Sequence, residues 1–330
     1  MLNLKYVFKK TFQLVITLLI LSAVIFVISR LSPGDPLRSY FGDSMERMTP
    51  KQLNTARINL GLNDNIIVQY FRWLKNALKG NFGISYKYKQ DVVAVIAKVY
   101  LNTLYLTVSS FIVIFTLAFL LAIICVINEG TILDRFINKM GIASSSIPVF
   151  FVALMLIMFF SVNTGILPSS GAYSYMGSEG FSDRLRHLIL PVSSVVITHL
   201  WYCTHLIKSK LSDEIRKEYV LLCKVKGLSQ IRIIFFHCMK NIMPAVVSVM
   251  AVFLPHLIGG SYVVEMVFSY PGLGMLGFES ALYQDYNMLM VICLITGFTV
   301  VSASMIAQVI NEKMDPRMKH DKIDGGKHFE

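Results

Sequence analysis

The sequence of 330 residues lacks the common motifs of nucleotide binding and of catalysis. There is no G-x-x-x-x-G-K-[ST] loop to hold the phosphates of ATP, no H-E-x-x-H zinc motif and no G-x-S-x-G nucleophile turn. The stretch GLGMLG at 272–277 fits the dinucleotide pattern G-x-G-x-x-G, but it follows a proline and no strand precedes it. We therefore predict no catalytic residue, no cofactor and no metal site in this chain.

Charged residues are also scarce, at 15% of the sequence, and the five cysteines include no C-x-x-C pair. Their number is odd and each lies in an apolar run or in the segment 209–243, which argues against a disulfide framework. The net charge of +11 does not indicate a nucleic-acid partner, because the basic residues are scattered over the connections without an interleaved aromatic platform.

Apolar residues dominate what is present: 55% of the sequence is hydrophobic and the mean hydropathy is +0.59. Six runs approach or exceed the length of about 20 residues that a membrane-crossing helix needs, and none has Asp, Lys or Arg at its centre. These runs are 12–29, 101–127, 142–161, 187–207, 244–266 and 287–310. We predict an all-α integral membrane protein with six transmembrane helices. The first run is interpreted as an uncleaved anchor, because no small-x-small cleavage site follows it.

Basic residues in the connections predict an orientation. With the amino terminus in the cytoplasm, the inner segments carry 18 Lys and Arg, whereas the two short outer loops carry two. The segment 31–98 carries ten and would lie outside, but a segment of this length translocates largely regardless of its charge. We predict that both termini are cytoplasmic and that 31–98 is an extracytoplasmic domain.

Two helices are predicted within 31–98. The first has Thr49 as its cap and Gly61 as its end. The second carries an apolar stripe with Trp73 beside it, and the stripe consists of Ile67, Tyr70, Phe71, Leu74 and Leu78. Two interpretations stay open: a helix at the membrane interface, where Trp and Tyr anchor, or a small soluble lid packed on its own core.

The segment 217–244 is charged and amphipathic, although it lies between two apolar runs. It predicts a short helix that ends at Gly227, because glycine readily takes the left-handed conformation of a helix stop. Ser229 is placed to cap a second helix, and Pro244 suits the first turn of the fifth apolar run. The second helix has one stripe at helical spacing, made of Ile231, Ile234, Phe235, Cys238 and Ile242.

Two interpretations of this segment stay open. Either its charges only mark the cytoplasmic side while the stripe packs on neighbouring spans, or the turn is a rigid knob that a soluble partner grips. In the second interpretation Gly227 is the stop, and Tyr219 and Leu222 are buried anchors.

The segment resembles the cytoplasmic loop of binding-protein-dependent ABC importer permeases, with the pattern D/E-Y-V-x-x-A-x-A-K-G-L-S followed by H-x-x-x-N-x-x-x-P. The matching residues are Glu218, Tyr219, Val220, Lys226, Gly227, Leu228 and Ser229, then His237, Asn241 and, one place early, Pro244. Further motifs, in the family's order, resemble its oligopeptide, dipeptide and nickel branch: RLSPGDP at 30–36, LNTLYLTV at 101–108, GILPSSG at 165–171 and GGSYVVEMVFSYPGLG at 259–274. The resemblance spans nearly the whole chain.

The resemblance implies a type I ABC importer permease fold, with a small helical extracytoplasmic domain between the first two transmembrane helices. The first helix with its tail would occupy 1–30, the extracytoplasmic domain 31–98 and the permease core 99–312. The core would include a coupling loop at 209–243, and a cytoplasmic tail would occupy 313–330.

The resemblance also implies that the short helix couples to a cytoplasmic ATPase. The residues expected to couple are Glu218, Tyr219, Leu222, Cys223, Lys226, Gly227, Leu228 and Ser229. His237, Asn241 and Pro244 are expected to support the loop. Leu222, Cys223 and Val225 depart from the family pattern, which usually has smaller side chains there, so the docking ATPase would need a matched groove.

The implied machine contains this chain, a second homologous permease, two ATPases that bind ATP and Mg²⁺, and an extracytoplasmic solute-binding protein. It would lie in the lipid bilayer of a bacterial cytoplasmic membrane and import peptides, nickel or metal chelates. No nucleic-acid partner is expected.

Ionisable residues within the apolar runs are further candidates. Glu265 either lines a gate or reaches the interface, and in a rival interpretation it carries protons in an ion-driven secondary transporter. His199 shares a helix face with Cys203 but not with His205, which falls short of a metal site. The predicted pathway residues are Glu265, His256, Pro271, Gly272 and Gly274, with the glycines forming a tight re-entrant turn.

Overall fold

The computed structural model describes residues 4–31, 36–59, 62–174 and 180–314, and it is helical throughout this part of the chain apart from turns. The α-helices are α1 (Leu4–Leu31), α2 (Pro36–Phe41), α3 (Pro50–Asn59), α4 (Ile66–Ala77), α5 (Val92–Ile127), α6 (Ile132–Ala143), α7 (Val149–Leu156), α8 (Phe181–Ile215), α9 (Glu218–Val225), α10 (Gln230–Ile233), α11 (Met239–Val267), α12 (Leu273–Leu282) and α13 (Tyr286–Met314). A 3₁₀ helix, Gly42–Arg47, follows α2, and π-helical turns follow α7 at Ile157–Asn163 and α10 at Ile234–Cys238. The all-α prediction is confirmed.

Five helical stretches within the described ranges are long and apolar enough to cross a membrane: α1, α5, α8, α13 and the continuous stretch Gln230–Val267. The predicted third span, 142–161, has different bounds. α6 ends at Ala143, Ile147 is extended (ψ 115°), and a shorter apolar helix then covers Val149–Asn163. The cause is Pro148, which lacks an N–H and disfavours helical backbone at the residue before it.

The fifth span also differs from its prediction, because Pro244 does not begin it. The helix starts at Gln230 and continues through the π-helical turn and Pro244 to Val267. A proline inside a membrane helix is tolerated where nearby side chains and local adjustments satisfy the freed backbone groups. The carbonyl that loses its donor here is that of Lys240, one turn before Pro244, and it lies close to the π-helical turn Ile234–Cys238.

One compact unit contains the described residues of Leu104–Tyr270 together with those from Ala303 to Met314. Within it α8 packs against α6, α7 and α11. A buried ion pair joins Asp134 of α6 to Lys208 of α8. Burial by itself would raise the pKa of Asp134, but hydrogen bonds from Lys208 and from the Gly130 N–H bring that pKa below its usual value. The two helices are therefore fixed to each other by charge as well as by packing.

The other compact unit contains the chain up to Thr103 and Pro271–Ser302. Its apolar core joins the start of α5 to α12 and α13, with Val92, Leu276 and Val291 among its buried members. Polar contacts hold the loop before α5 to the same helices. Ser85 donates to the Asp285 carboxylate, and Lys87 Nζ lies 2.6 Å from Glu279 Oε2.

The two predicted helices of segment 31–98 are present as α3 and α4. Thr49 caps α3 as predicted: its N–H donates to Gln52 Oε1 at 2.9 Å, and its Oγ1 accepts from the Gln52 N–H at 3.4 Å. Gly61, the predicted end of the first helix, lies outside the described residues. Asn65 caps α4, its Oδ1 accepting from the Ile67 N–H at 3.1 Å.

Candidate functional site

The turn after α9 is a complete helix stop. Gly227 has a φ of +77°, a backbone conformation that L side chains rarely adopt. Its N–H donates to the Lys224 carbonyl at 2.9 Å, and the Leu228 N–H donates to the Cys223 carbonyl at 3.2 Å. These two bonds form a Schellman motif, with Gly227 as its left-handed residue. The predicted end of the short helix at Gly227 is confirmed.

A buried carboxylate holds the base of α9. Glu214, in the last turn of α8, is only 5% exposed. Its Oε1 accepts hydrogen bonds from Tyr219 Oη at 2.8 Å and Asn241 Nδ2 at 2.9 Å, and its Oε2 lies 2.6 Å from Lys217 Nζ. Hydrogen bonds to an ionised acceptor are among the stronger ones in proteins. Side chains from α8, α9 and α11 thus meet at one carboxylate.

The phenol of Tyr219 acts as a donor in this cluster. Burial and the hydrogen bond to Glu214 raise the pKa of Tyr219, which therefore stays protonated at neutral pH. Its hydroxyl also lies 3.7 Å from Cys238 Sγ. Sequence reasoning selected Tyr219 and Asn241 but missed Glu214. Glu214 and Tyr219 are five positions apart across a turn, so no helical spacing pairs them.

The three residues predicted to support the loop lie in different surroundings. Asn241 joins the Glu214 cluster, where its Nδ2 also lies 3.3 Å from Tyr219 Oη. His237 is exposed within the π-helical turn. Pro244 lies inside α11, where its carbonyl accepts the Ser248 hydrogen bond.

The outward surface of α9 is apolar with charges around it. Leu221, Leu222 and Val225 are 66%, 55% and 78% exposed, while Glu218 and Lys226 are also exposed. The prediction that Leu222 is a buried anchor is therefore wrong for this chain. The buried residue of α9 is Val220, which sequence reasoning did not single out as an anchor. Tyr219 and Cys223 are half-buried.

The second predicted helix has a different buried face. Ile233, Ile234, Cys238 and Ile242 are buried, whereas Ile231 and Phe235 of the predicted stripe are exposed, as is Phe236. The π-helical turn explains the change, because its wider winding shifts the register that a regular 3.6-residue period assumes. Ser229 occupies the predicted cap position, but its side chain makes no capping hydrogen bond.

A cavity of about 840 Å³ lies in the same compact unit and is lined by α8, α11 and the chain around Ser144–Val149. His199 and Tyr202 come from α8, while Phe253 and His256 come from α11. The ring centroid of Phe253 is 5.2 Å from that of His199 and 6.3 Å from that of His256. His256, a predicted pathway residue, therefore faces a cavity that also contains His199.

The other predicted pathway residues do not line this cavity. Glu265 is fully buried in α11. The Pro271 carbonyl accepts a hydrogen bond from Asn102 Nδ2 at 2.8 Å, and the Leu273 N–H next to Gly272 donates to Thr103 Oγ1 at 2.7 Å. Sequence reasoning selected neither of these two side chains of α5, the donor Asn102 and the acceptor Thr103.

The tight turn predicted at Gly272 and Gly274 does not depend on a left-handed conformation of these glycines. Gly272 is extended (φ −131°) before α12, and Gly274 lies within that helix. Positive φ values occur instead at Ser269 (44°) and Gln284 (54°), on either side of α12.

Residues 92–320 match the family of binding-protein-dependent transport system inner membrane components. Residues 3–107 match the amino-terminal family of such membrane components. The chain belongs to this family. This permease is 30% identical to the oligopeptide transport system permease protein AppB of Bacillus subtilis over 96% of its own length and 99% of that of AppB. It is 25% identical to the metal-staphylopine import system permease protein CntB of Staphylococcus aureus, over 96% and 98% of the two chains.

The permease also resembles solved structures. Inward-facing conformations of the MetNI methionine ABC transporter contain a chain that matches with a TM-score of 0.55 at 16% identity, over 68% of this permease and 97% of that chain. This likeness shows the fold, which is the predicted type I ABC importer permease fold. The protein is a multi-pass ABC importer permease of the oligopeptide and dipeptide type, and the rival interpretation of a proton-driven carrier is not favoured.

Proposed function

We propose that this permease forms, with a second homologous permease, the pathway of an ATP-driven importer of peptides or metal chelates. Two ATPases would bind ATP and Mg²⁺ and dock on α9, and a solute-binding protein would deliver the cargo. Both termini and α9 would lie in the cytoplasm, in agreement with the distribution of Lys and Arg. Relatives named for oligopeptide and for metal-staphylopine transport support both cargo classes.

The surface of α9 suits a docking partner. Leu221, Leu222 and Val225 present a compact apolar patch, and Glu218 and Lys226 flank it. Interfaces commonly combine an apolar centre with a polar rim. The Schellman stop at Gly227 fixes where this surface ends, so a partner meets a defined shape.

The Glu214 cluster is the observation that carries the proposal. It joins α9 to α8 and α11, and these two helices supply His199, Phe253 and His256 to the cavity. A displacement of α9 by a docked ATPase would therefore move the walls of the cavity. Rigid elements joined by buried hydrogen bonds are suited to carry such coupling.

The test is the substitution Gly227→Val. No atom lies within 4 Å of the added Cβ, so the effect comes from the φ of +77°, which costs a β-branched residue roughly 1–2 kcal/mol or more. We expect the variant to lose ATP-dependent uptake at least tenfold, either with ATP hydrolysis no longer stimulated by the binding protein or with loss of the ATPase subunits. Uptake and hydrolysis are measured on the purified complex in vesicles, with a peptide and a metal chelate as alternative cargoes.

Gly80→Val is the matched control. Gly80 has a φ of +82° and the same open surroundings, but it lies in the turn after α4. The strain is therefore similar, and coupling should remain within about twofold of normal. Normal uptake with normal ATPase binding in Gly227→Val would refute the docking role of α9.

A further inference from the structure

The helix α4 has an apolar face that no other part of the described chain covers. Ile67, Phe71 and Leu78 are 63%, 62% and 81% exposed and follow one another along that face. Arg72 and Asn76, which are also exposed, lie on the other side of the helix. No residue of α4 is buried. A soluble lid packed on its own core, the alternative left open by the sequence, does not describe this helix.

The neighbouring face of α4 rests on α1. The ring of Phe26 lies 5.5 Å from that of Tyr70 and 6.3 Å from that of Trp73, between centroids. Tyr70 Oη also hydrogen-bonds to Ser22 Oγ at 2.9 Å. The contact is thus made with the side of an apolar helix that is long enough to cross a membrane.

The position of these contacts along α1 gives the depth of α4. At a rise of about 1.5 Å per residue, Phe26 and Ser22 lie roughly 7 and 14 Å from Leu31, the last residue of α1. The hydrocarbon layer is about 30 Å thick, and Lys9 and Lys10 mark the opposite end of α1. The contacts therefore lie within one leaflet, at the Leu31 end.

We propose that α4 is embedded in the surface of that leaflet, with Ile67, Phe71 and Leu78 among the acyl chains. At the same level of α1, Val24 and Ile28 expose apolar side chains at 48% and 63% on the side opposite Phe26, as expected of a helix surrounded by lipid. Amphipathic helices at the interface commonly bury their apolar face about 5–10 Å deep, which matches the level of the Phe26 contact, with the polar face towards headgroups and water. Lys75 and Lys79 have the length and charge to reach phosphate groups.

Tryptophan fluorescence tests this placement, because the chain has only two tryptophans, Trp73 and Trp201. In a Trp73→Phe, Trp201→Phe background, a single tryptophan is introduced as Phe71→Trp or, as the matched control, as Asn76→Trp. Both positions are exposed and belong to the same helix. The full chain is placed in phosphatidylcholine vesicles with brominated acyl chains. We expect at least threefold stronger quenching of Phe71→Trp than of Asn76→Trp, and the opposite order with acrylamide in the water.

Two outcomes overturn the proposal. Strong acrylamide quenching and weak lipid quenching of Phe71→Trp would place the face in water. Weak quenching by both agents would mean that protein covers it. A second measurement needs only Trp201→Phe: native Trp73 must also be quenched by brominated lipid, and unchanged emission would contradict the placement. The inference is independent of the docking role of α9, since Gly227→Val should leave this quenching unchanged.

Discussion

Glu214 accepts hydrogen bonds from two helices while it belongs to a third. Its truncation in Glu214→Ala would leave the Tyr219 hydroxyl and the Asn241 amide without their acceptor. Hydrogen bonds to charged groups contribute about 1.5–3 kcal/mol, so we expect the free energy of unfolding to fall by about 2–3 kcal/mol. Unfolding of the purified permease in detergent, followed with increasing denaturant, measures this loss.

Lys217→Ala is the control for this prediction. Lys217 also pairs with Glu214, but its side chain is 58% exposed, so the pair is screened and its loss should cost less than about 1 kcal/mol. The double variant Glu214→Ala, Asn241→Ala should destabilise by less than the sum of the single variants, because the two residues share one hydrogen bond. Additive effects would show that the cluster does not act as a unit.

Close packing between elements is seen where α6 meets α8. A Cβ on Gly141 would stand 2.6 Å from His205 Cβ and 3.1 Å from the Trp201 carbonyl oxygen. Such an approach forces the helices apart. We expect Gly141→Ala to lower the free energy of unfolding by about 1–3 kcal/mol, the usual cost of overpacking, as measured by the same denaturation.

Gly259→Ala in α11 is the matched comparison, because no atom lies within 4 Å of its added Cβ. Alanine forms helices more readily than glycine, by about 1 kcal/mol, so this variant should be neutral or slightly stabilised. If both variants behaved alike, the close approach of α6 and α8 would be refuted.

Each compact unit of the molecule contains an ion pair: Asp134 with Lys208 in one, and Glu279 with Lys87 in the other. In one of them, burial by itself would raise the pKa of Glu279, but hydrogen bonds from Lys87 and Tyr88 and the charge of Lys87 bring it below its usual value. A carboxylate with a lowered pKa stabilises the fold fully above its unfolded-state pKa of about 4.5, and this contribution disappears as the pH falls through the lower folded-state value.

We therefore expect the contribution of Glu279 to stability to be constant near pH 7 and to fall on acidification below about pH 4.5. Glu279→Gln should lower stability at pH 7 and flatten the acid-side slope. Thermal unfolding at several pH values between 7 and 3 measures both effects. A slope that is the same in Glu279→Gln and the unchanged chain would contradict the role of this pair.

Local patterns predicted the features that depend on neighbouring residues. Thr49 is the cap expected of it, and Gly227 takes the left-handed stop expected of glycine after a short helix. The patterns predicted the wrong buried side chains where a π-helical turn or tertiary packing changed the face that a helix turns inward. Leu222 is exposed because Val220 occupies the inner face of α9, and Phe235 is exposed because a π-helical turn precedes α11.

The sequence by itself determined that this is a helical membrane protein, because long apolar runs leave helices as the simplest way to satisfy the backbone within lipid. It also determined where α9 stops, since that depends on one glycine. Only the tertiary structure decided that Glu214 joins α8, α9 and α11, and that α4 rests on α1 through Phe26. These contacts join residues from different helices, and their partners are chosen by packing rather than by any spacing along the chain.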